Sequence, residues 1–363
     1  MAFFVAGFGV AAWAPLVPFA KQATALSDGE LGLVLLCVGI GSLIAMPTTG
    51  FMVSRFGCRA VIITDILAMA CCLPLLMLSG NPVALGAVLM VFGGSVGSLD
   101  VAANIQAVIL ERATGQTMMS NFHGMFSAGG ISGAGAASAM LWLGLTPLAT
   151  TLCVDLVILM LLAGYGLWLL PVGGGVDSGR FTLPRGRIAI AAAACFVLFL
   201  AEGAILDWSA VFLTSIRSAS ESTAGLAYAG FAAAMTLGRL NGDRLVQRLG
   251  PVPVMVAGSV CAAAGYLLAV FVPSVPASLA GFTLVGLGAS NVVPVIFSAV
   301  GRQNFVPPAA AIASITTIGY AGILAGPAMI GFIAAASSLQ ISLAVVGLAL
   351  IPVGLCARLI SRM

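Results

Sequence analysis

Two carboxylates lie inside an otherwise apolar stretch of the sequence, FLAEGAILDW at positions 199–208. In hydrocarbon a carboxylate costs about 2.5–3.5 kcal/mol on insertion scales, and it normally faces a helix-bundle interior or an aqueous cavity. Desolvation favours the neutral form, so such a group can take up and release protons. Glu202 is therefore a proton-coupling candidate, with a hydrogen bond made only for packing as the alternative. Asp207 and Trp208 fit an interfacial latch or a helix cap.

A further acid, Asp100, lies in the segment GSLDVAANIQ at 97–106. Asn104 follows one helical turn later and would share its face. An aspartate and an asparagine side by side can hydrogen-bond a hydroxylated ligand, which makes Asn104 a ligand-binding candidate. The alternative is a polar clamp between helices, which Gly93 and Gly97 would favour because small residues allow close approach.

His123 is the only histidine in the chain. Its protonation range suits a switch near neutral pH, and a satisfied interfacial residue is an equal alternative. If the helices that carry them face each other, His123 and Asp100 could form a coupled pair. Trp13 and Tyr228 are the aromatic residues best placed to stack on a sugar ring or an apolar ligand, with ordinary packing or interfacial anchoring as the alternative.

The composition requires membrane-spanning elements to position these residues. Hydrophobic residues make up 61% and charged residues 7% of the 363 positions, and the mean hydropathy is +1.17, whereas about a quarter of the residues in soluble domains are charged. The basic residues are scattered singly, which argues against a nucleic-acid partner. The eight cysteines lie mostly in apolar runs and form no C-x-x-C pair, so we expect buried thiols and neither a metal nor another cofactor.

Twelve apolar runs of spanning length follow one another along the chain. We expect helices at about 3–19, 31–52, 61–78, 83–110, 118–141, 148–170, 188–213, 224–245, 252–272, 277–300, 309–335 and 339–359. SDGE at 27–30 has the pattern of a capping box, in which side chains satisfy the first N–H groups of a helix. Four prolines stand at helix entries, where a missing N–H is harmless: Pro82, Pro147, Pro251 and Pro308.

The positive charges predict which helix ends face the cytoplasm. With both termini cytoplasmic, twelve arginines fall at or near the inner face and only Lys21 and Arg217 lie outside. No positive charge precedes the first apolar run, so we do not expect a cleaved signal peptide, and the start at Met1 leaves room for a short cytoplasmic leader. The inner-face arginines are Arg55, Arg59, Arg112, Arg180, Arg185, Arg187, Arg239, Arg244, Arg248, Arg302, Arg358 and Arg362.

The chain divides into two halves of similar pattern. The longest polar break, 171–187, is rich in glycine, and we expect it to be a cytoplasmic linker between six-helix bundles at 1–170 and 188–363. Arg55-x-Gly57 in the first half and Arg248-x-Gly250 in the second lie 193 positions apart. A repeated six-helix unit of this kind is a parallel duplication, which places a ligand site near the midplane between the halves.

Together the repeat and its basic loop resemble the major facilitator superfamily of secondary transporters, over essentially the whole chain. The resemblance implies an all-α polytopic membrane protein of twelve transmembrane helices in two six-helix pseudo-repeats, with both termini cytoplasmic. The signature loop of the superfamily reads roughly G-x-x-x-D-R-x-G-R-R. Ser54 in the first copy and Gln247 in the second stand where this signature has an aspartate. Because both copies lack that acid, we expect Arg239, Asp243 and Arg244 to supply a substitute charge cluster. The gating-loop candidates are Gly50, Arg55, Gly57, Arg59, Arg239, Asp243, Arg244 and Arg248.

Three segments point to one branch of the superfamily. GSLDVAANIQ at 97–106 resembles the fourth-helix segment of the fucose permease group, in which an acidic residue precedes A-A-N. NFHGMFSAGG at 121–130 and AEGAILDWSAVFL at 201–213 are similar to a poorly characterised bacterial group close to it, the YbjJ set. The resemblance to the fucose permease acid implies proton coupling at Asp100.

The sequence therefore favours a monomeric, multi-pass transporter of the cell inner membrane. We expect it to move a small solute, preferably a sugar or sugar-like metabolite, through the lipid bilayer by alternating access with proton coupling. Efflux of amphipathic compounds is the alternative, and a membrane receptor that does not transport is less favoured. We do not expect an enzyme, since the sequence has no nucleophile elbow, no P-loop and no metal-ligand spacing.

Overall fold

The computed structural model describes residues 1–26, 28–171, 183–219 and 221–363. It is 89% helical, and no strand occurs among the described residues. The all-α prediction is confirmed. A helix is the expected outcome for these apolar runs because, in lipid, each backbone N–H and C=O must find its partner within the segment.

The described residues form fourteen α-helices, numbered here in chain order. In the first half they are α1 (Ala2–Trp13), α2 (Val17–Ala23), α3 (Asp28–Leu78), α4 (Pro82–Thr114), α5 (Met119–Trp142) and α6 (Pro147–Tyr165). In the second half they are α7 (Gly186–Arg217), α8 (Glu221–Leu249), α9 (Pro251–Phe271), α10 (Val275–Ala289), α11 (Val292–Arg302), α12 (Pro308–Ala336), α13 (Leu339–Leu355) and α14 (Ala357–Ser361).

Eight stretches of the described chain are long and apolar enough to cross a bilayer. They are Ala2–Ala23, Leu33–Leu78, Pro82–Thr114, Pro147–Trp168, Gly186–Arg217, Pro251–Phe271, Val275–Arg302 and Pro308–Ala336. Leu339–Leu355 is a shorter apolar helix. These helices make the chain an integral membrane protein.

The predicted helix starts are confirmed at all four prolines. Pro82, Pro147, Pro251 and Pro308 are the first residues of α4, α6, α9 and α12. The predicted capping box at 27–30 begins at a residue outside the described part of the chain.

Several predicted helix boundaries need correction. The predicted helices 277–300 and 339–359 are each divided in two, as α10 and α11 and as α13 and α14. The first predicted helix, 3–19, is interrupted by a 3₁₀ turn over Ala14–Leu16, because Pro15 lacks the N–H that a continuous α-helix uses. The seventh, predicted to end at 213, runs to Arg217 and closes on Ser218 with a left-handed φ of 53°. Asp207 therefore lies inside α7, and the interpretation of this residue as a helix cap was wrong.

Structural features recur at the spacing of the sequence repeat. Gly57 interrupts α3 with φ 83° and ψ 157°, and Gly250 separates α8 from α9 with φ 84° and ψ 164°. Positive φ of this kind is accessible to glycine and strained for other residues. The chain therefore makes the same turn at two positions 193 residues apart.

Close helix crossings recur at the same spacing. A Cβ atom at Gly93 would clash with the carbonyl of Val38, and one at Gly286 would clash with the carbonyl of Phe231. Both members of the second crossing lie 193 positions after those of the first. Small residues at these points let the helix backbones touch.

The described chain clusters into two compact units. Unit 1 consists of Met1–Leu110, Met125–Thr182 and Phe305–Ala313, and unit 2 consists of Glu111–Gly124, Leu183–Asn304 and Ser314–Met363. Most of the predicted linker at 171–187 lies outside the described residues, and the boundaries at 170 and 188 stay a prediction.

Candidate functional site

An ion pair between Glu202 of α7 and Arg239 of α8 forms the centre of the candidate site in unit 2. Glu202 lies roughly midway between the ends of α7. Nη2 of Arg239, on α8, is 3.3 Å from Oε1 of Glu202. The side chain of Arg239 is 9% exposed and that of Glu202 is 22% exposed. The acid is thus placed in the middle of a spanning helix, against a positive charge, and part of its side chain is exposed.

Two tyrosines surround this ion pair. The hydroxyl of Tyr266, which is fully buried, donates a hydrogen bond of 2.6 Å to the carbonyl of Ala201. This bond holds α9 against α7 at the residue before Glu202. The phenol of Tyr228 is within electrostatic range of both Glu202 and Arg239, and the residue is 42% exposed. Tyr228 could therefore contact a ligand that reaches the pair.

His123, near the start of α5, belongs to the same unit. Its ring meets Phe297 edge-on, with the ring centres 5.7 Å apart and the planes at 70°. The imidazole is also within electrostatic range of Arg239. Arg239 is therefore near both the carboxylate of Glu202 and the imidazole of His123. The pairing of His123 with Asp100 stays a prediction.

Asp100 and Asn104 hydrogen-bond each other in unit 1. Nδ2 of Asn104 donates to the backbone carbonyl of Asp100 at 2.9 Å and to its Oδ1 at 3.2 Å. Asn104 is fully buried and Asp100 is partly exposed. The two residues share one face of α4, as the spacing predicts. Trp13, also in unit 1, ends α1 and is 7% exposed.

In unit 1 the gating-loop candidates make structural contacts. Arg59 donates from Nε to the carbonyl of Leu169 at 2.8 Å and from Nη2 to that of Leu167 at 2.6 Å. A Cβ atom at Gly50 would lie 3.0 Å from the carbonyl of Ala309, near the start of α12. The guanidinium of Arg55 lies over the ring of Phe56, 5.5 Å from its centre. Arg59 therefore holds the segment that follows α6 against the turn within α3.

In unit 2 the acidic candidate, Asp243, binds the start of α5. Its Oδ1 accepts the N–H of Ser120 at 3.0 Å, and its Oδ2 accepts that of Asn121 at 2.9 Å. Helix N-termini favour negative charge because their first N–H groups lack partners and the helix dipole is positive there. Asp243 thus contacts α5, Arg239 pairs with Glu202, and Arg244 lines a surface groove.

Two further residues, Glu111 and Arg112, complete this contact, and neither was among the site candidates. Oε1 of Glu111 accepts the N–H of Met118 at 2.7 Å and that of Met119 at 2.9 Å. Arg112 donates to the carbonyls of Gly301 and Gln303 at the end of α11. A sequence signal for Glu111 exists, because an acid shortly before a helix start is a typical partner for its N–H groups.

Comparison with known proteins decides the family. No family model matches the chain. An uncharacterised MFS-type transporter of Yersinia pestis is 54% identical over 363 residues, which cover 100% of this chain and 94% of that protein. The chain belongs to the major facilitator superfamily. It is an MFS transporter, and this family prediction from the sequence is confirmed.

Further relatives share most of their length with this MFS transporter. The membrane protein MosC of Rhizobium meliloti is 31% identical over 93% of this chain and 83% of its own. Among solved structures, the Escherichia coli fucose:proton symporter FucP has a TM-score of 0.81 at 19% identity, covering 99% of this chain and 97% of that one. The proton:xylose symporter XylE has a TM-score of 0.67 at 14% identity, covering 99% and 94%. At such identities the likeness shows the fold alone.

The contact of Asp243 with α5 in this MFS transporter leads to a testable prediction. Replacing Asp243 with asparagine removes the charge and keeps the size of the side chain, so the start of α5 should lose about 0.5–2 kcal/mol of stabilisation. Amide hydrogen exchange at residues 119–122 should accelerate by about 2- to 30-fold, and Glu111→Gln should act in the same direction on residues 118 and 119. The matched control is Gln247→Ala, one turn after Asp243 and exposed. Unchanged exchange in Asp243→Asn would show that the carboxylate does not hold this helix end.

Proposed function

We propose that this protein is a proton-coupled secondary transporter of a small polar solute, preferably a sugar or sugar-like metabolite, in the cell inner membrane. The observation that carries the proposal is the Glu202–Arg239 ion pair in the middle of α7. Ionisable residues at such depth are expensive and commonly mark substrate or proton pathways. FucP and XylE, which share the fold, are described as a fucose:proton and a proton:xylose symporter, and this supports the proposed class.

Protonation of Glu202 would supply the coupling step. With the carboxylate ionised, the guanidinium of Arg239 is held by its counter-charge. When Glu202 takes up a proton, the attraction between the two groups falls, and the N–H donors of Arg239 become available to hydroxyl oxygens of a solute. Loss of the proton restores the ion pair and favours solute release. Tyr228 offers a phenol beside the same pair.

The second acid, Asp100, would act with Asn104 in the other unit. The Asn104 amide holds the Asp100 carboxylate in place, and the partly exposed carboxylate can accept hydroxyl hydrogens or a proton. Trp13 and His123 are further candidates, for solute stacking and proton transfer. Since the sequence contains no P-loop, the proposed energy source is an ion gradient.

The proposed architecture is twelve spans in two bundles, 1–170 and 188–363, with a linker at 171–187 and both termini cytoplasmic. The recurring turns at Gly57 and Gly250 and the recurring crossings at Gly93 and Gly286 support a duplicated unit. The break at Gly57 allows the long helix α3 to supply two spans. We further propose that a single copy is sufficient, with the solute, protons and the lipid bilayer as its partners.

A counterflow assay tests the proposed function. The purified protein is reconstituted in liposomes loaded with unlabelled solute, and entry of trace label is measured for a panel of sugars, organic acids and cationic amphipathic drugs. We expect exchange for one or more sugars, with protein-free liposomes as the background. Exchange of amphipathic drugs alone would move the assignment to efflux. If a compound binds the protein and none exchanges, transport itself is contradicted.

A further inference from the structure

A groove on the surface of unit 2 lies between α8 and α9, over α10. Its volume is about 710 Å³, which falls within the range of small-molecule sites in proteins. The groove exists because both helices are held on α10 through glycines. A Cβ atom at Gly238 would clash with Ser290, and one at Gly258 would meet the carbonyl of Gly288. With α8 and α9 both fixed to α10, the space between them stays open.

The groove has apolar walls that face outward. Leu237 and Leu245 of α8 are 63% and 43% exposed, and Leu287 of α10 is 51% exposed. Ala257 and Cys261 line the α9 side. Exposed leucines on spanning helices normally face hydrocarbon, so this part of the groove fits an acyl chain.

One end of the groove is cationic. Arg244 and Arg248 both line it, and a spacing of four residues puts them on one face of α8. Among the described residues neither guanidinium forms a salt bridge, and both are exposed. Like charges at this spacing repel, so an anion between them would be stabilised by both.

The start of α9 adds to the positive potential at this end. The helix begins at Pro251 and no side chain caps it. Pro251 and Pro253 have no N–H, so of its first three residues only Val252 offers a backbone donor, and the helix dipole supplies the rest of the positive potential. Pro253 and Val254, in its first turn, line the groove. A free helix N-terminus favours an anion such as a phosphate. The two guanidinium groups and the uncapped helix start match a negatively charged headgroup. The apolar walls match an acyl chain attached to it.

We propose that this groove binds an anionic phospholipid, with the phosphate held by Arg244 and Arg248 at the start of α9 and an acyl chain lying along Leu237 and Leu287. The positions equivalent by the 193-residue repeat in the first half are Phe51 and Arg55. That half therefore has one arginine where the second half has two, and the site belongs to unit 2 alone. The inference does not depend on the solute or on proton coupling.

Lipid titration of the purified full-length protein, followed by native mass spectrometry, tests the proposal. Phosphatidylglycerol should bind in preference to phosphatidylethanolamine. Because each arginine near an anionic surface contributes about fivefold in affinity, Arg244→Gln and Arg248→Gln should each weaken phosphatidylglycerol binding about fivefold, and the double variant about 25-fold. The matched control Arg55→Gln should bind as the wild type does.

A second variant separates the acyl chain from the charge. Ala257→Trp fills the apolar part of the groove and keeps both arginines, so it should also lose phosphatidylglycerol. Glycerol phosphate, which has no acyl chain, should not compete at millimolar concentration. Wild-type affinity in the double arginine variant, or equal losses in Arg55→Gln, would overturn the site. Competition by glycerol phosphate would show a soluble anion site, which also contradicts the proposal. Unchanged thermal unfolding of each variant shows that it is folded.

Discussion

Glu202→Gln is expected to abolish uphill accumulation of the solute and to leave solute exchange intact. Glutamine keeps an oxygen that can accept the hydrogen bond from Arg239, so the packing of α7 on α8 survives. It cannot bind and release a proton near neutral pH, so the solute loses its connection to the pH gradient. Under an imposed gradient of about two pH units a one-to-one symporter can accumulate solute about 100-fold. The variant should accumulate none.

A charge-pair cycle distinguishes this role from a structural one. The residues 193 positions before Glu202 and Arg239 are Gly9 and Met46, so the first half offers Met as the uncharged counterpart of Arg239. Removing one member of a buried ion pair costs about 3–5 kcal/mol, whereas replacing both can be neutral; the partial exposure of Glu202 reduces that cost here. We expect Arg239→Met to unfold at lower temperature than Glu202→Gln combined with Arg239→Met. Normal accumulation by a stable Glu202→Gln variant would make the pair purely structural.

Asp100→Asn has the second-largest expected effect. The side-chain oxygen of asparagine can replace the Oδ1 that Asn104 contacts, so the fold of α4 is retained while the proton-binding group is lost. Uphill accumulation should fall to the equilibrium level, again from about 100-fold under a gradient of about two pH units. Solute uptake and counterflow are measured on the same liposome preparation, so that lost coupling and lost binding are separated.

The controls for Asp100 use its neighbour and another buried acid. Asn104→Ala should weaken solute affinity and keep coupling, because it removes an amide that orients the carboxylate and leaves the acid in place. Asp65→Asn, on α3, changes an acid that is 8% exposed and outside the proposed site, and it should accumulate solute as the wild type does. If Asp100→Asn accumulates solute normally and Asp65→Asn does not, the proton-binding acid is Asp65 and not Asp100.

Local sequence signals predicted local structure well. A proline affects the backbone of only the helical turn that it begins. The helix starts predicted at the four prolines of α4, α6, α9 and α12 were correct. The turns at Gly57 and Gly250 were marked by the repeat. The end of α7 was less predictable, because Thr214 and Ser215 are polar residues that a helix tolerates when their hydroxyls bond to the preceding turn, as they do here.

The contacts of the candidate site required the fold. Glu202 was identified from its depth, but Arg239 is 37 positions away along the chain, and helical periodicity does not say which faces of α7 and α8 meet. Asp243 is even more distant along the chain from Ser120 and Asn121, whose N–H groups donate hydrogen bonds to its carboxylate. Its sequence neighbourhood suggested a charge cluster with Arg239 and Arg244, whereas the structure gives it backbone partners in α5.

The most direct test of proton coupling follows protons and solute together. Liposomes containing the wild-type protein and a trapped pH-sensitive dye receive a solute that exchanges in the counterflow assay. We predict that solute entry carries protons inward in fixed proportion to the solute, and that Glu202→Gln moves the same solute with no change in internal pH. Solute entry without proton movement in the wild-type protein would contradict the account and leave the Glu202–Arg239 pair as a structural contact.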